Sequence, residues 1–246
     1  MSSENVLAQV AELRRSGLTA PQIARELGLT KAQVQPMLRQ VAGQGRGVQQ
    51  PLPEPAERAL TGCWINPGWS VGLGLDGAPP EWADSDRRGD DGDEVGGGGL
   101  ATITIARADR PSRASLCVFL VDVYCLGVKN ALGPVVVSAT TVDDRLRTFY
   151  SGHRRPPRPA PLDLAQHLVH GSVDYAASLG FSPHEDFAQA APYLGALAGP
   201  CPIQFGRDGA PFYISGPYDD PAAIMATLNR TAGSGNFHLL THLPVS

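Results

Sequence analysis

Lysine is almost missing from this 246-residue chain: Lys31 and Lys129 are the only two of its twenty basic residues that are not arginine. Together with an excess of Ala, Gly and Pro, that bias reads as the codon usage of a GC-rich genome and carries no function by itself. Aromatic residues are few, at 7%. Long apolar runs are lacking as well; the most apolar stretch, Leu116–Val121, is cut by Asp122 and falls far short of a membrane span. No apolar run follows a basic start at the N-terminus, which argues against a secretory signal. The four cysteines, at 63, 117, 125 and 201, form no C-x-x-C pair, which argues against a disulfide framework and against a zinc ribbon. Together these absences predict a protein of a reducing cytoplasm, with no membrane contact. What is abundant is Gly (28) and Pro (22), which excludes a coiled coil or membrane bundle and predicts many turns.

The net charge of −4 is unevenly placed. Residues 1–50 hold six basic and three acidic side chains, and the remainder holds fourteen and twenty-one. A basic segment tethered to an acidic one marks two units. Between them GQGRGVQQPLPEPA has no apolar periodicity and three prolines, so 43–56 reads as a flexible linker, spanning about 20 Å.

Three short helices fit residues 3–42. Ser3 can cap the first, on which Val6, Val10 and Leu13 follow helical spacing, and Gly17 can stop it. Thr19-Ala-Pro-Gln22 reads as a capping box with proline in the first turn, and Thr30-Lys-Ala-Gln33 as a second box. Between the boxes, Ala24 is small where two helices cross, Gly28 permits a tight turn, and Ile23, Leu27, Leu29, Val34 and Met37 supply a shared core. This pattern resembles the helix-turn-helix of bacterial DNA-binding proteins, over residues 3–42 only. The resemblance implies a tri-helical DNA-binding domain over 1–42, with its third helix in the major groove. Thr30, Lys31, Ala32, Gln33, Gln35 and Arg39 are then the candidate DNA contacts, with Arg14, Arg15 and Arg25 adding backbone contacts. Gln suits adenine; Lys and Arg suit phosphate or guanine. Pro36 departs from the pattern, because it removes a backbone hydrogen bond to Ala32 inside the third helix.

From about residue 57 the signals alternate. Strands are expected at 69–75, 101–107 and 114–126, helices at 141–150, 162–179, 183–190 and 220–230, and a last strand at 236–243. Residues 202–206 and 211–215 flank Gly-Arg-Asp-Gly and predict a β-hairpin. Residues 81–99, acidic and glycine-rich, read as a disordered loop. The expected fold class is therefore a small all-α tri-helical helix-turn-helix domain plus a larger α+β domain over 57–246.

Several constellations carry possible chemistry. Gly72-x-Gly74-x-x-Gly77 matches a dinucleotide fingerprint by letters, but Ala78-Pro79-Pro80 leaves no room for the helix that must follow. The acidic run 84–94 has Arg88 and Val95 where a calcium loop needs oxygen ligands. Asp163, His167, His170 and Asp174 fall at offsets 0, 4, 7 and 11 on a predicted helix, so they share one stripe. That stripe is either a solvated face or, given a partner from elsewhere, a divalent-ion site. His184-Glu185-Asp186 reads as a helix start. Trp64, Trp69 and Trp82 suit core anchors or a ligand surface.

Asp122 stands out as a carboxylate in an apolar strand, which is costly unless paired or neutralised. With Lys129 close behind, it is the best acid for a nuclease-like site that organises a metal and an attacking water. That site also needs a second acid beside the lysine, where the sequence has Gly127-Val128. A structural ion pair, or an Asp facing solvent, is the alternative. No metal and no cofactor is called for. The reading is a DNA-binding transcriptional regulator, homo-oligomeric, with a C-terminal domain for oligomerisation or ligand or partner sensing. The alternatives are a nucleic-acid-processing enzyme built around Asp122 and a protein-protein adaptor.

Overall fold

The computed structural model describes residues 3–15, 18–44, 52–84 and 98–240. Gly17, half of the expected linker (45–51), most of the expected acidic loop (85–97) and the end of the last expected strand (241–243) lie outside the described residues, as does the side chain of Ser3. The chain divides into two compact units, 1–51 and 52–246.

The first unit contains α1 (Ser3–Arg15), α2 (Ala20–Glu26) and α3 (Lys31–Gln44). Its core is small: Val10, Ile23 and Val34 are fully buried, one from each helix, and Ala24 lies beside them. Val6, Leu13, Leu27, Leu29 and Met37 pack around that centre at helical spacing. Both capping boxes form. Thr19 N–H donates to Gln22 Oε1 at 2.8 Å, and Thr30 N–H to Gln33 Oε1 at 2.9 Å. Each cap satisfies amides that the first helical turn cannot, worth about 1 kcal/mol. Gly28 turns the chain with φ 64°, a conformation that favours glycine.

The second unit is built on a five-stranded, wholly antiparallel sheet of β1 (Leu60–Ile65), β2 (Leu100–Ala108), β3 (Arg113–Asp122), β4 (Gly127–Ser138) and β5 (Arg158–Pro159), in the order β4-β3-β2-β1-β5. Register aligns Ile65, Ile103, Phe119 and Ala131 in one row across four strands, and Cys63, Ile105 and Cys117 in the next. Because side chains alternate across a strand, these rows share a face. That face packs on Leu164, Ala165, Leu168 and Val169 of α5 (Leu162–Ser178) and on α6 (Phe187–Leu194). Trp69 and Trp82 are anchors of this core. On the other face, α4 (Val142–Phe149) contributes Val142 and Phe149 against Trp64, Ala106, Leu116 and Val137. The Tyr150 hydroxyl contacts the Trp64 and Thr102 carbonyls at 2.9 and 3.0 Å, tying the end of α4 to the sheet. A second, two-stranded sheet pairs β6 (Phe212–Ile214) in parallel with β7 (His238–Leu240), flanking α7 (Pro221–Thr231).

The expected fold class, a helix-turn-helix domain plus an α+β domain, is overturned as stated. The first unit is a set of three helices that nothing else identifies as a helix-turn-helix. The large unit is sheet-rich and dominated by the antiparallel sheet, three of whose strands, β1, β4 and the short β5, were not expected. The 69–75 strand does not form; residues 67–72 are turns, with Gly72 at φ 73°, and only Gly74 bridges to Gln204. The hairpin over 202–215 is also absent. Residues 212–214 pair with a segment more than twenty residues further on, in parallel, where a hairpin requires an antiparallel neighbour. The helix expected at 183–190 starts later, at Phe187. Among the described residues, no helix is long and apolar enough to cross a membrane.

Candidate functional site

Thr30, Lys31, Ala32, Gln33, Gln35 and Arg39 are all exposed on or beside α3, while Val34, Met37, Leu38 and Val41 face the core of the first unit. Residues four apart on a helix advance by only about 40° around its axis. Lys31, Gln35 and Arg39 therefore form one outward row, with Ala32 beside it, and Gln33 falls on the opposite flank. Gln33 is also occupied. Its Oε1 accepts from the Thr30 amide and the Thr30 hydroxyl, both at 2.9 Å, and its own amide donates back to Thr30 Oγ1 at 3.3 Å. The capping box thus takes two of the six expected contacts, and the row Lys31, Gln35, Arg39 is the surface left available. Helix α3 continues unbroken through the exposed Pro36. Of the flanking arginines, Arg25 is exposed, and Arg14 donates to the Leu18 carbonyl at 3.1 Å, closing the end of α1. The side chain of Arg15 lies outside the described residues.

In the second unit, Asp122 is the last residue of β3. Its Oδ1 accepts from the amides of Tyr124 and Cys125 at 2.9 and 3.0 Å, which holds the turn into β4. Only 6% of Asp122 is exposed. Burial pushes its carboxyl up to about 6, against the opposing pull of the turn amides and of Lys129. Asp122 is therefore neither solvent-facing nor paired with Lys129, as the sequence had suggested. Lys129 instead bonds Asp219 at 2.8 Å. Asp219 also accepts from the Gly216 amide at 2.8 Å and the Tyr213 hydroxyl at 3.3 Å. Burial raises the Asp219 carboxyl, but these donors outweigh it and hold it below its ordinary value.

Asp219 is the second acid that the sequence seemed to lack beside Lys129. It stands ninety residues away from it, directly before the Asp220 cap of α7, where its only sequence signal was that of a helix start. Between Asp122, Lys129 and the Ile214–Pro217 segment lies a cavity of about 240 Å³, walled also by Leu100 and Tyr124. Gly99 makes that wall possible, because a Cβ there would sit 2.5 Å from the Tyr124 ring. Lys129 is committed to Asp219, and one Asp122 oxygen to the turn, so the groups expected to orient a metal-bound water are held in structural bonds. No group of three His, Cys, Asp or Glu residues able to hold a metal occurs among the described residues.

The stripe on α5 does not assemble as expected. His167 is 7% exposed and packs against Trp82 with ring centroids 5.0 Å apart; burial lowers its pKa. His170 Nε2 lies 2.8 Å from the Gly195 carbonyl. Asp163 and Asp174 are exposed. The two histidines are thus packing residues, and only the two ends of the stripe, Asp163 and Asp174, are solvated, because α5 packs on the sheet and against Trp82. His184 joins the sheet layer through its amide, which donates to the Val128 carbonyl at 2.9 Å, and its ring lies 3.6 Å from Asp186. In the described residues directly after Gly77, up to residue 84, a short 3-10 turn at Pro80–Trp82 stands where the fingerprint needs an α-helix.

All four cysteines are free thiols, and three of them are buried. Burial pushes Cys63 and Cys117 up to about 12, so neither is a thiolate nucleophile at neutral pH. No protein-family model, no curated protein and no solved structure matches the chain.

Proposed function

We propose that this is a DNA-binding protein acting as a transcriptional regulator, with the first unit meeting DNA through α3. The reading rests on one observation: Lys31, Gln35 and Arg39 form an exposed row on a helix whose opposite side is fully used by the core. A row of two cations and an amide is suited to phosphates and base edges in a major groove. The excess of basic side chains in residues 1–50, and the resemblance of residues 3–42 to the helix-turn-helix of bacterial DNA-binding proteins, support it.

Two cations in the row neutralise few phosphates, so one copy binds weakly and with a shallow salt dependence. Useful affinity then calls for a second copy, which makes the large unit the natural place for oligomerisation or for sensing a ligand. Four unpaired cysteines fit a reducing cytoplasm.

The test is binding of the full chain to random duplex DNA over a salt series. Wild type should bind at low salt. Lys31→Ala and Arg39→Ala should each weaken binding across all sequences and each lower the salt slope by about one. Absence of binding at low salt removes the reading.

A further inference from the structure

We propose that the cavity between Asp122, Lys129 and the Ile214–Pro217 segment is a binding site for a small organic cation, a primary ammonium group on a short hydrocarbon body. The proposal deepens the ligand-sensing role of the second unit and does not depend on DNA binding by the first.

Three observations carry it. The first is space: about 240 Å³, the scale of a small metabolite rather than of a few waters. The second is charge. One carboxylate, Asp122, and one ammonium, Lys129, line this cavity, and the ammonium is already spent, since Lys129 bonds Asp219 behind the wall at 2.8 Å while Gly216 and Tyr213 complete that carboxylate. The Asp122 carboxylate, 6% exposed, is held by turn amides, with Tyr124 and Cys125 both on Oδ1, and bonds no cation directly; Lys129 acts on it only through space. A buried carboxylate without a counter-ion is an expensive arrangement, and a ligand cation supplies what is missing. The third is lining. Leu100, Tyr124, Ile214 and Pro217 give the rest of the cavity an apolar character, which suits the hydrocarbon part of an amine and not a hydrated metal ion. An anion is disfavoured, because Lys129 has no unneutralised charge to offer it.

Asp122 also gives the site a pH dependence. The titratable groups around it are Lys129 from β4, Tyr124 and Cys125 in the turn, Tyr175 from α5 and Tyr213 from β6. Burial raises all four of the neutral ones, and Tyr124 also feels Arg207 and Asp208 nearby. A bound cation requires ionised Asp122, so its affinity should fall as pH drops through about 6.

The experiment uses the full chain without DNA, so that its outcome is separate from the DNA reading. n-Butylammonium, 1,4-diaminobutane, n-butanol and butyrate are titrated by calorimetry and by thermal shift near neutral pH. The expected result is binding and a raised Tm with the two amines only. Asp122→Asn keeps an Oδ1 acceptor for the Tyr124 and Cys125 amides and should weaken amine binding by about tenfold or more. Ile214→Trp fills the cavity with Asp122 intact and should abolish binding, which decides the matter even if Asp122→Asn fails to fold. Lys31→Ala, on the other unit, should bind amines like wild type. The proposal is overturned if no amine binds, if butyrate or butanol binds as well as the amines, or if amine binding survives Ile214→Trp.

Discussion

The two units treat charge in opposite ways. On α3, Lys31 and Arg39 stand in solvent on a helix whose stability comes from Val34 and its neighbours, so they cost the fold little and are free to meet a partner. In the large unit the charges are built in. Lys129 and Asp219 bond beside a cavity, Asp122 closes a turn, and Arg107, 3% exposed, is held by the carbonyls of Tyr193 at 2.5 Å and Arg58 at 2.8 Å. Burial depresses Arg107, and its partners are dipoles rather than a carboxylate. The lesson is that a charged residue conspicuous in a sequence stands in solvent in one setting and is held inside the fold in the other. Burial and partners separate the two.

The comparison can be broken by mutation, with the largest effect expected in the smaller core. Ile23→Ala removes a fully buried side chain from a three-residue centre and should destabilise the first unit by about 4 kcal/mol, read as loss of its thermal transition while the second unit melts unchanged. Lys129→Met strands Asp219 and should destabilise the second unit by about 3 kcal/mol in a denaturant titration. Asp122→Asn should act in the other direction. A folded-state pKa near 6 lies above the ordinary carboxylate value, so the contribution of Asp122 to stability is full in acid and is lost as pH rises through about 6. The variant should therefore be more stable than wild type by about 2 kcal/mol at neutral pH, with the advantage vanishing below the ordinary carboxylate range. Equal stability of the two proteins at neutral pH would show that Asp122 is not desolvated as described. The smallest effect belongs to Lys31→Ala, which should change stability by less than about 0.5 kcal/mol while weakening DNA binding. A large stability loss there would erase the contrast between the units.

Local signals were legible and distant ones were not. The two capping boxes and the 3.6-residue spacing of Val6, Val10 and Leu13 act within one helix, so the ends of α2 and α3 could be read directly. The alternation over 101–107 marks β2 for the same reason. Strands β1 and β4 escaped because Gly62, Gly127, Gly133 and Pro134 look like breakers. The sheet absorbs the irregularity through register shifts at Leu60/Gly62, Leu116/Val118 and Leu120/Val121. At the cavity, Asp122 was visible because a carboxylate interrupts an apolar run, and Lys129 because it follows closely. Asp219 was not, since only the folded chain brings it within bonding distance of Lys129. The histidine stripe misled for a related reason: spacing gives the azimuth on α5 but not how many neighbours surround that helix.

The parallel pair β6–β7 has a practical consequence for anyone handling this protein. Ile214, on the cavity wall, packs against the main core and pairs with Leu240 in a ladder that spans three residues on each strand among the described residues, and the Ser215 amide donates to the Leu240 carbonyl at 3.0 Å. A proteolytic clip or a truncation that removes 238–240 would release that wall while leaving the five-stranded sheet intact. Such a preparation would pass a test of folding by circular dichroism and still be missing the chamber beside Asp122.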